Sequence, residues 1–452
     1  MPDMTELNRS LGFWGAAGIG IGAIIGTGIF VLIGVASGIA GPAVILSFII
    51  AGFVALLTGL STAELSSFIH ETGGSYIYTT KAFGPFPGFV VGWMKSFDYI
   101  VGASAVSVGF AAYFAYFAGI PATPVTIVLV GTTWPLVLML LNLKGIQEAS
   151  WTNNLLVTLK ILALLVFILV GASALLASAN FSNYHPFFPR GFSGVMSGAS
   201  IIFFAFIGFN TIAMMAEEIK DPEKTVPKAI LFAFAVCTMI YIGVSIVAVG
   251  IVNWQLLGTS SAPLEFALTT VTDNIFILEF VAVSALFATT SVIMASILGG
   301  SRALFAMARQ GVLPDTLATV SRQGVPAHTI LLCGLVISGI VLATRGNLDW
   351  LASIFNFGTL LTFFFINLSL IRLRKTMPDA ERGFRVPLYP YVPVFALISC
   401  IVLAFYLNPN AVMTALIFLS AGVLYYYYHR GKKPAGHTDG SGTGSGKNPP
   451  PG

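Results

Sequence analysis

An all-α membrane protein of about twelve spans, the first and sixth of them broken, is the fold that this sequence predicts. Three observations carry the prediction. Hydrophobic residues make up 56% of the 452 positions and charged residues only 9%, whereas soluble domains carry about 25% charged residues. Apolar runs of ~20 residues or more, the length that crosses a bilayer core, recur along the whole chain. Two of these runs are interrupted by glycine in mid-span, one in Gly22–Phe30 (GAIIGTGIF) and one at Gly208.

In order, the expected spans are residues 13–39, 42–68, 86–118, 124–143, 150–177, 194–218, 228–252, 276–308, 326–344, 349–371, 388–407 and 409–429. The first contains Gly22, Gly26 and Gly28. Glycine costs roughly 1 kcal/mol relative to alanine inside a helix, so a cluster needs a reason. One reason is close helix packing through small residues. The other is a break, which a bilayer tolerates only where protein or a water-filled cavity satisfies the freed N–H and C=O groups. The second span carries Glu64, the third Lys95 and Asp98, and the fifth Lys160, followed by a long apolar run. The sixth sets Gly208 among Phe203, Phe204, Phe206 and Phe209, then runs into Glu217, Glu218, Lys220, Asp221, Glu223 and Lys224. Connections are short and leave no room for a separate soluble domain. A transmembrane domain over residues 1–430 is therefore expected. Residues 431–452, rich in Gly, Ser and Pro, are expected to form a disordered cytoplasmic tail.

The N-terminus is polar through Asn8 and Arg9, and the first apolar run is too long for a signal-peptide core, so the first span is expected to remain in the mature chain. With an even number of spans both termini share one side. That side gathers Lys81, Lys144, Lys228, Arg302, Arg309, Arg374, Arg382, Lys432 and others, while the opposite side holds only Arg190 and Arg345. Positively charged ends mark the cytoplasm, which places both termini there in a plasma-membrane protein. The net charge of +4 is thereby explained without nucleic acid.

No catalytic, metal or cofactor set emerges. Cys237, Cys333 and Cys400 lie far apart in apolar runs without ligand spacing, as packing cysteines do. His70-Glu71 is followed by Gly74, so the HExxH zinc pattern fails, and there is no GxxxxGK[ST] loop to drive transport by ATP.

Glycine breaks in spans 1 and 6 are what a five-plus-five inverted repeat produces, with a binding site at the repeat interface near the bilayer midplane. The repeats would cover about 13–177 and 194–371, with two additional helices over 388–429. Freed N–H groups at half-helix starts attract an anion, and freed carbonyls attract a cation. A zwitterion such as an amino acid suits that pair, although other amines or ions are compatible with it.

Four motifs, in order, carry a family resemblance. They are GAIIGTGIF, AELSSFIHETGGSYIYTTKAFGPFPGFVVGW (Ala63–Trp93), FFAFIGFNTIAMMAEEIKDPEKTVPKAI, and GGSRALFAMARQGVLP (Gly299–Pro314). Over residues 5–430 the chain resembles the amino acid–polyamine–organocation transporters, and among them the prokaryotic relatives of cationic amino acid transporters. The resemblance implies the LeuT-like fold and a secondary transporter of L-amino acids that works by alternating access. Proton symport is the leading expectation and exchange of amino acids the alternative. A sensor that binds without transporting would be expected to carry a signalling domain, for which this chain has no room.

The resemblance also assigns residues. The substrate carboxylate would meet the Thr27 hydroxyl and the N–H groups of Gly26, Thr27 and Gly28. The ammonium would meet the carbonyls of Ile24, Phe204 and Ile207. Phe204 matches the aromatic outer gate, its plainer reading being a packed ring. Ser296 stands where some exchangers carry an aromatic that divides the pocket. Asn210 stands where many relatives have an acid.

Ionisable residues inside spans are functional hypotheses by default. Lys160 matches the lysine of proton-coupled relatives, whose ammonium takes the place of a sodium ion, with Thr289 and Thr290 in the region that completes that place. Its alternative role is a fixed charge that pins span 1 to span 5. Asp98 could face a cationic substrate side chain, or pair with Lys160, or pair with Lys95 three residues away. Glu64 is expected to tie span 2 to its neighbours. Glu217 or Glu218 could close a cytoplasmic gate, with Arg302 as a partner. The expected ligands are thus an L-amino acid, a proton and the lipid bilayer. The two terminal helices leave a homodimer open.

Overall fold

The computed structural model describes residues 11–69, 71, 73–144, 150–215, 219–309, 311, 313–321 and 324–430. Regular structure among them is helical, apart from a single parallel bridge between Leu11 and Ile219. In lipid this is expected, because a helix satisfies its backbone groups within one segment. Residues 431–452, expected to be disordered, lie outside the described residues.

The first apolar run is divided into α1 (Phe13–Ile24), α2 (Thr27–Phe30) and α3 (Leu32–Ala40). At Gly41 the chain turns with φ +67°, and Pro189 fills the space a Cβ would need. Next come α4 (Val44–Ser66), α5 (Ser75–Phe83), α6 (Pro85–Phe117), α7 (Pro124–Leu143) and α8 (Ser150–Ser178). The second broken element is α9 (Gly191–Ile202), a 3-10 stretch over Phe203–Phe209, and α10 (Asn210–Met214). Then follow α11 (Pro222–Ile251), the short α12 (Trp254–Thr259) and α13 (Pro263–Thr269), and α14 (Ile275–Arg309). The chain closes with α15 (Ala327–Thr344), α16 (Leu348–Thr376), α17 (Tyr391–Phe405) and α18 (Pro409–Arg430).

Ten helical stretches are long and apolar enough to cross a membrane, counting Leu32–Ser66 as one, and α1 and α17 are shorter apolar helices. This is a multi-pass membrane protein. Two boundaries differ from the sequence expectation by about five residues or more. The seventh span begins at Pro222 rather than 228, because Pro222 occupies the first helical position and Glu223 adds a favourable first-turn acid. The tenth runs on to Thr376, with Arg374 and Lys375 in its last turn, where cations complement the helix dipole. The helices α5, α12 and α13, of 9, 6 and 7 residues, are too short to be spans.

The long α6 is the most enclosed helix and packs along both α14 and α16. By contrast α7, α8 and α18 present Leu129, Leu169 and Ile417 outward, the surface that lipid would cover. Polar groups knit the interior. Asn367 of α16 accepts from Ser61 (2.7 Å) and donates to Thr58 (2.9 Å) on α4. Cys237, Cys333 and Cys400 are all buried as free thiols.

Candidate functional site

The two broken elements cross each other backbone to backbone. A Cβ on Gly28 would stand 2.4 Å from the Cα of Ala205, and one on Gly208 would stand 2.2 Å from the carbonyl carbon of Ala23. Glycine on each partner is therefore a condition of the crossing. Gly26 has a different neighbour, with Cγ2 of Val292 on α14 at 3.1 Å from its notional Cβ. Gly28 and Gly208 thus have a close-packing role, which only the crossing geometry reveals.

The crossing leaves backbone groups unspent. The N–H groups of Gly26 and Gly28 have no backbone partner outside the helices among the described residues, and Gly26 O accepts from Ile29 at 3.3 Å. Tyr241 of α11 stitches the breaks together, its hydroxyl lying 2.8 Å from Ile24 O and 3.2 Å from Ala205 O. Ile24 O, expected to meet a ligand ammonium, thus already holds one partner and keeps one lone pair. Tyr113 of α6 donates to Phe30 O at the far end of α2 (2.6 Å).

Lys160 is 2% exposed on α8. Its ammonium donates to Gly22 O (3.2 Å), just before the first break, and to Ser291 Oγ on α14 (2.9 Å). The neighbouring hydroxyls serve elsewhere: Thr289 is turned back to Ala285 O (2.8 Å), and Thr290 accepts from Trp134 Nε1 (3.2 Å). Ser291 puts a hydroxyl at the ammonium. Sequence reasoning missed it because three consecutive hydroxyls differ only by the rotation of α14.

Phe204 differs from the other aromatics of its segment. Phe203, Phe206 and Phe209 are wholly buried, whereas Phe204 is partly open and sits on Phe355 of α16, with ring centroids 4.4 Å apart. Ile207 is buried, and Gly208 and Asn210 are partly open. Ser296 lies one helical turn beyond Val292 on α14 and is also partly open. The structure thus brings Ile24, Gly26, Gly28, Phe204, Ile207 and Lys160 around one crossing, with Val292 and Ser296 on the α14 wall.

Asp98 stands one turn away from the Phe204–Phe355 contact. Gly102 of α6 packs on Phe355, and Asp98, four residues earlier, packs on Gly358 of α16. Its carboxylate lies 3.8 Å from Lys95 Nζ and accepts from Thr359 (3.1 Å). Of the two lysines weighed for Asp98, Lys95 is the one at its side. Glu64 is fully buried at the end of α4, where Arg374 donates to both carboxylate oxygens (2.7 Å from Nε), Val386 N–H donates at 2.6 Å, and Arg382 Nε lies 3.4 Å away. Glu64 ties α4 to α16 and to the chain that follows α16. Glu217 and Glu218 lie outside the described residues; Arg302 is exposed on α14.

A family model described as amino acid permease matches residues 11–427. The chain is 35% identical over 451 residues to the branched-chain amino acid permease BcaP of Bacillus subtilis, covering 94% of each chain. It is 34% identical to the methylthioribose transporter of the same organism, again covering 94% of each. It is 32% identical to the vacuolar cationic amino acid transporter 2 of Arabidopsis thaliana, over 83% of this chain and 61% of that one. The glycine-dependent crossing of two broken helices thus sits in a chain that belongs to the amino acid permease family.

Proposed function

We propose that this protein is a proton-coupled secondary transporter that takes up L-amino acids across the plasma membrane by alternating access. The observation that carries the reading is Lys160, a buried ammonium held on Gly22 O and Ser291 Oγ beside the first break. A cation there can gain or lose its proton as the half-helix moves, and it fills the space in which a sodium ion would otherwise be attracted. The substrate carboxylate docks on the N–H groups of Gly26, Thr27 and Gly28, at the start of α2. Its ammonium lies toward the carbonyls of Ile24, Phe204 and Ile207, and Phe204 closes over it. Ser296 and Val292 bound the side-chain space. With Asp98 matched by Lys95 and Thr359, the pocket favours a neutral side chain.

In this reading α1 to α3 form one crossing of the membrane and α9 to α10 another. The chain makes twelve crossings in two inverted five-helix repeats, in the LeuT-like arrangement. The basic residues place the termini in the cytoplasm, and the ends near Arg190 and Arg345 face outward. The test is uptake into empty proteoliposomes under an inward proton gradient. Accumulation above equilibrium in the absence of internal substrate supports symport. Uptake that requires internal substrate assigns exchange instead.

A further inference from the structure

A second buried carboxylate lies away from the crossing. Glu265, in the first turn of α13, is fully buried, and neither of its oxygens has a hydrogen bond at normal distance. A buried carboxylate without a cation is costly when charged, and no ion pair among the described residues reaches it. The polar groups beside it are the phenols of Tyr113 and Tyr116 on α6.

The position of α13 gives this group leverage. The α12–α13 hairpin lies directly on α3: a Cβ on Gly34 would meet Leu257 O at 2.9 Å, and one on Gly38 would meet the Gly258 Cα at 3.1 Å. The backbone of Leu264 faces the Tyr113 phenol, whose hydroxyl donates to Phe30 O at the end of α2. The hairpin is thereby tied to the half-helix that leaves the crossing.

We propose that Glu265 is a proton-binding site that governs docking of the α12–α13 hairpin: the neutral acid stays seated beside Tyr113 and Tyr116, and loss of its proton works against seating. Burial pushes its carboxyl up to about 8, partly opposed by the Tyr116 phenol. Besides α6, the elements packed on α13 are α3, α8, α11, α12 and α14. Of these, α3 and α12 carry no titratable residue, and no charged group of the others acts on Glu265; Lys160 is engaged on Gly22 O and Ser291, and Glu279 is exposed on α14. The sign follows from the raised value. A freed carboxyl ionises from the ordinary acid range upward, while the seated one holds its proton until about pH 8. Seating is therefore complete in acid, weakens as pH rises, and stops weakening above the seated value. The proposal depends neither on the substrate nor on the role of Lys160.

The test uses the purified full-length protein with Ala267→Cys, a buried position on α13, and a thiol-reactive maleimide. The native cysteines are buried and give little background. Labelling is compared at each pH with the same cysteine in a Glu265→Gln background, which cancels the thiol's own pH dependence. The expected ratio rises by up to about tenfold per pH unit and levels off above about pH 8. A ratio that stays constant from pH 6 to 9 overturns the proposal. Should the Gln variant not fold, Tyr116→Phe serves: it should move the levelling-off to higher pH, and an unmoved profile overturns the proposal equally. Lys160→Gln should leave the profile intact, and its disappearance there would assign the proton to Lys160 instead.

Discussion

Gly208→Ala tests the crossing on which the proposed site depends. The added methyl would stand 2.2 Å from the Ala23 carbonyl carbon, 2.3 Å from its oxygen and 2.4 Å from Ile24 N. Ordinary contact begins at about 3.5 Å, so the two broken segments must part by roughly 1 Å. Backbone atoms stand on both sides, so no side-chain rotation can relieve the clash. Overpacking typically costs about 1–3 kcal/mol, and the upper end applies here, a loss of about a hundredfold in the population of the tight crossing. Gly28→Ala meets Ala205 at 2.4 Å and should behave alike, whereas Gly26→Ala meets only the Val292 methyl at 3.1 Å and should be milder. The assay is ligand-induced thermal stabilisation of purified protein across the twenty amino acids, read beside the unliganded melting temperature. Wild-type ligand response in Gly208→Ala and Gly28→Ala, or a larger defect in Gly26→Ala, would refute the argument.

Three further outcomes follow from the same geometry. Lys160→Gln removes the charge on Gly22 O and Ser291 while leaving an amide that can still donate, so facilitated uptake should persist and proton-driven accumulation should vanish; accumulation that still follows an imposed pH gradient refutes the coupling role. Asp98→Asn or Lys95→Met alone breaks a buried pair and should cost about 3–5 kcal/mol, whereas the double variant should recover much of the loss. A selective fall in arginine or lysine binding, with stability intact, would instead make Asp98 a substrate contact. Glu64→Ala leaves Arg374, Arg382 and Val386 N–H without their shared acceptor and should destabilise by a comparable amount; an unchanged melting temperature would refute the tie between α4 and α16.

Much of this molecule was legible before its structure. Hydropathy alone identifies a membrane bundle, because twenty apolar residues have few other fates. The breaks at the first and sixth runs were legible because glycine in a bilayer helix is conspicuous, and Lys160 and Glu64 because charge there is rare. Tyr241 left a fainter trace, a polar tip in an apolar helix that must find an acceptor. The α11 start was missed since its charged first turn reads as loop, although Pro222 at the first helical position is a start signal. Glu265 left no signal, for nothing local to PLEFALT says that its carboxylate is covered.

By itself the sequence determined the class of protein, the two broken elements and the residues whose burial is costly. Hydropathy, glycine and charge act locally or over one helix length, so they can be read in one dimension. Only the tertiary structure decided which glycine is a contact, that Ser291 meets Lys160, that Lys95 stands beside Asp98, and that Phe204 alone among the four aromatics of its segment is partly open. Each of these turns on helix rotation, about 100° per residue, and on crossing distances fixed to within an ångström by elements far apart in the chain.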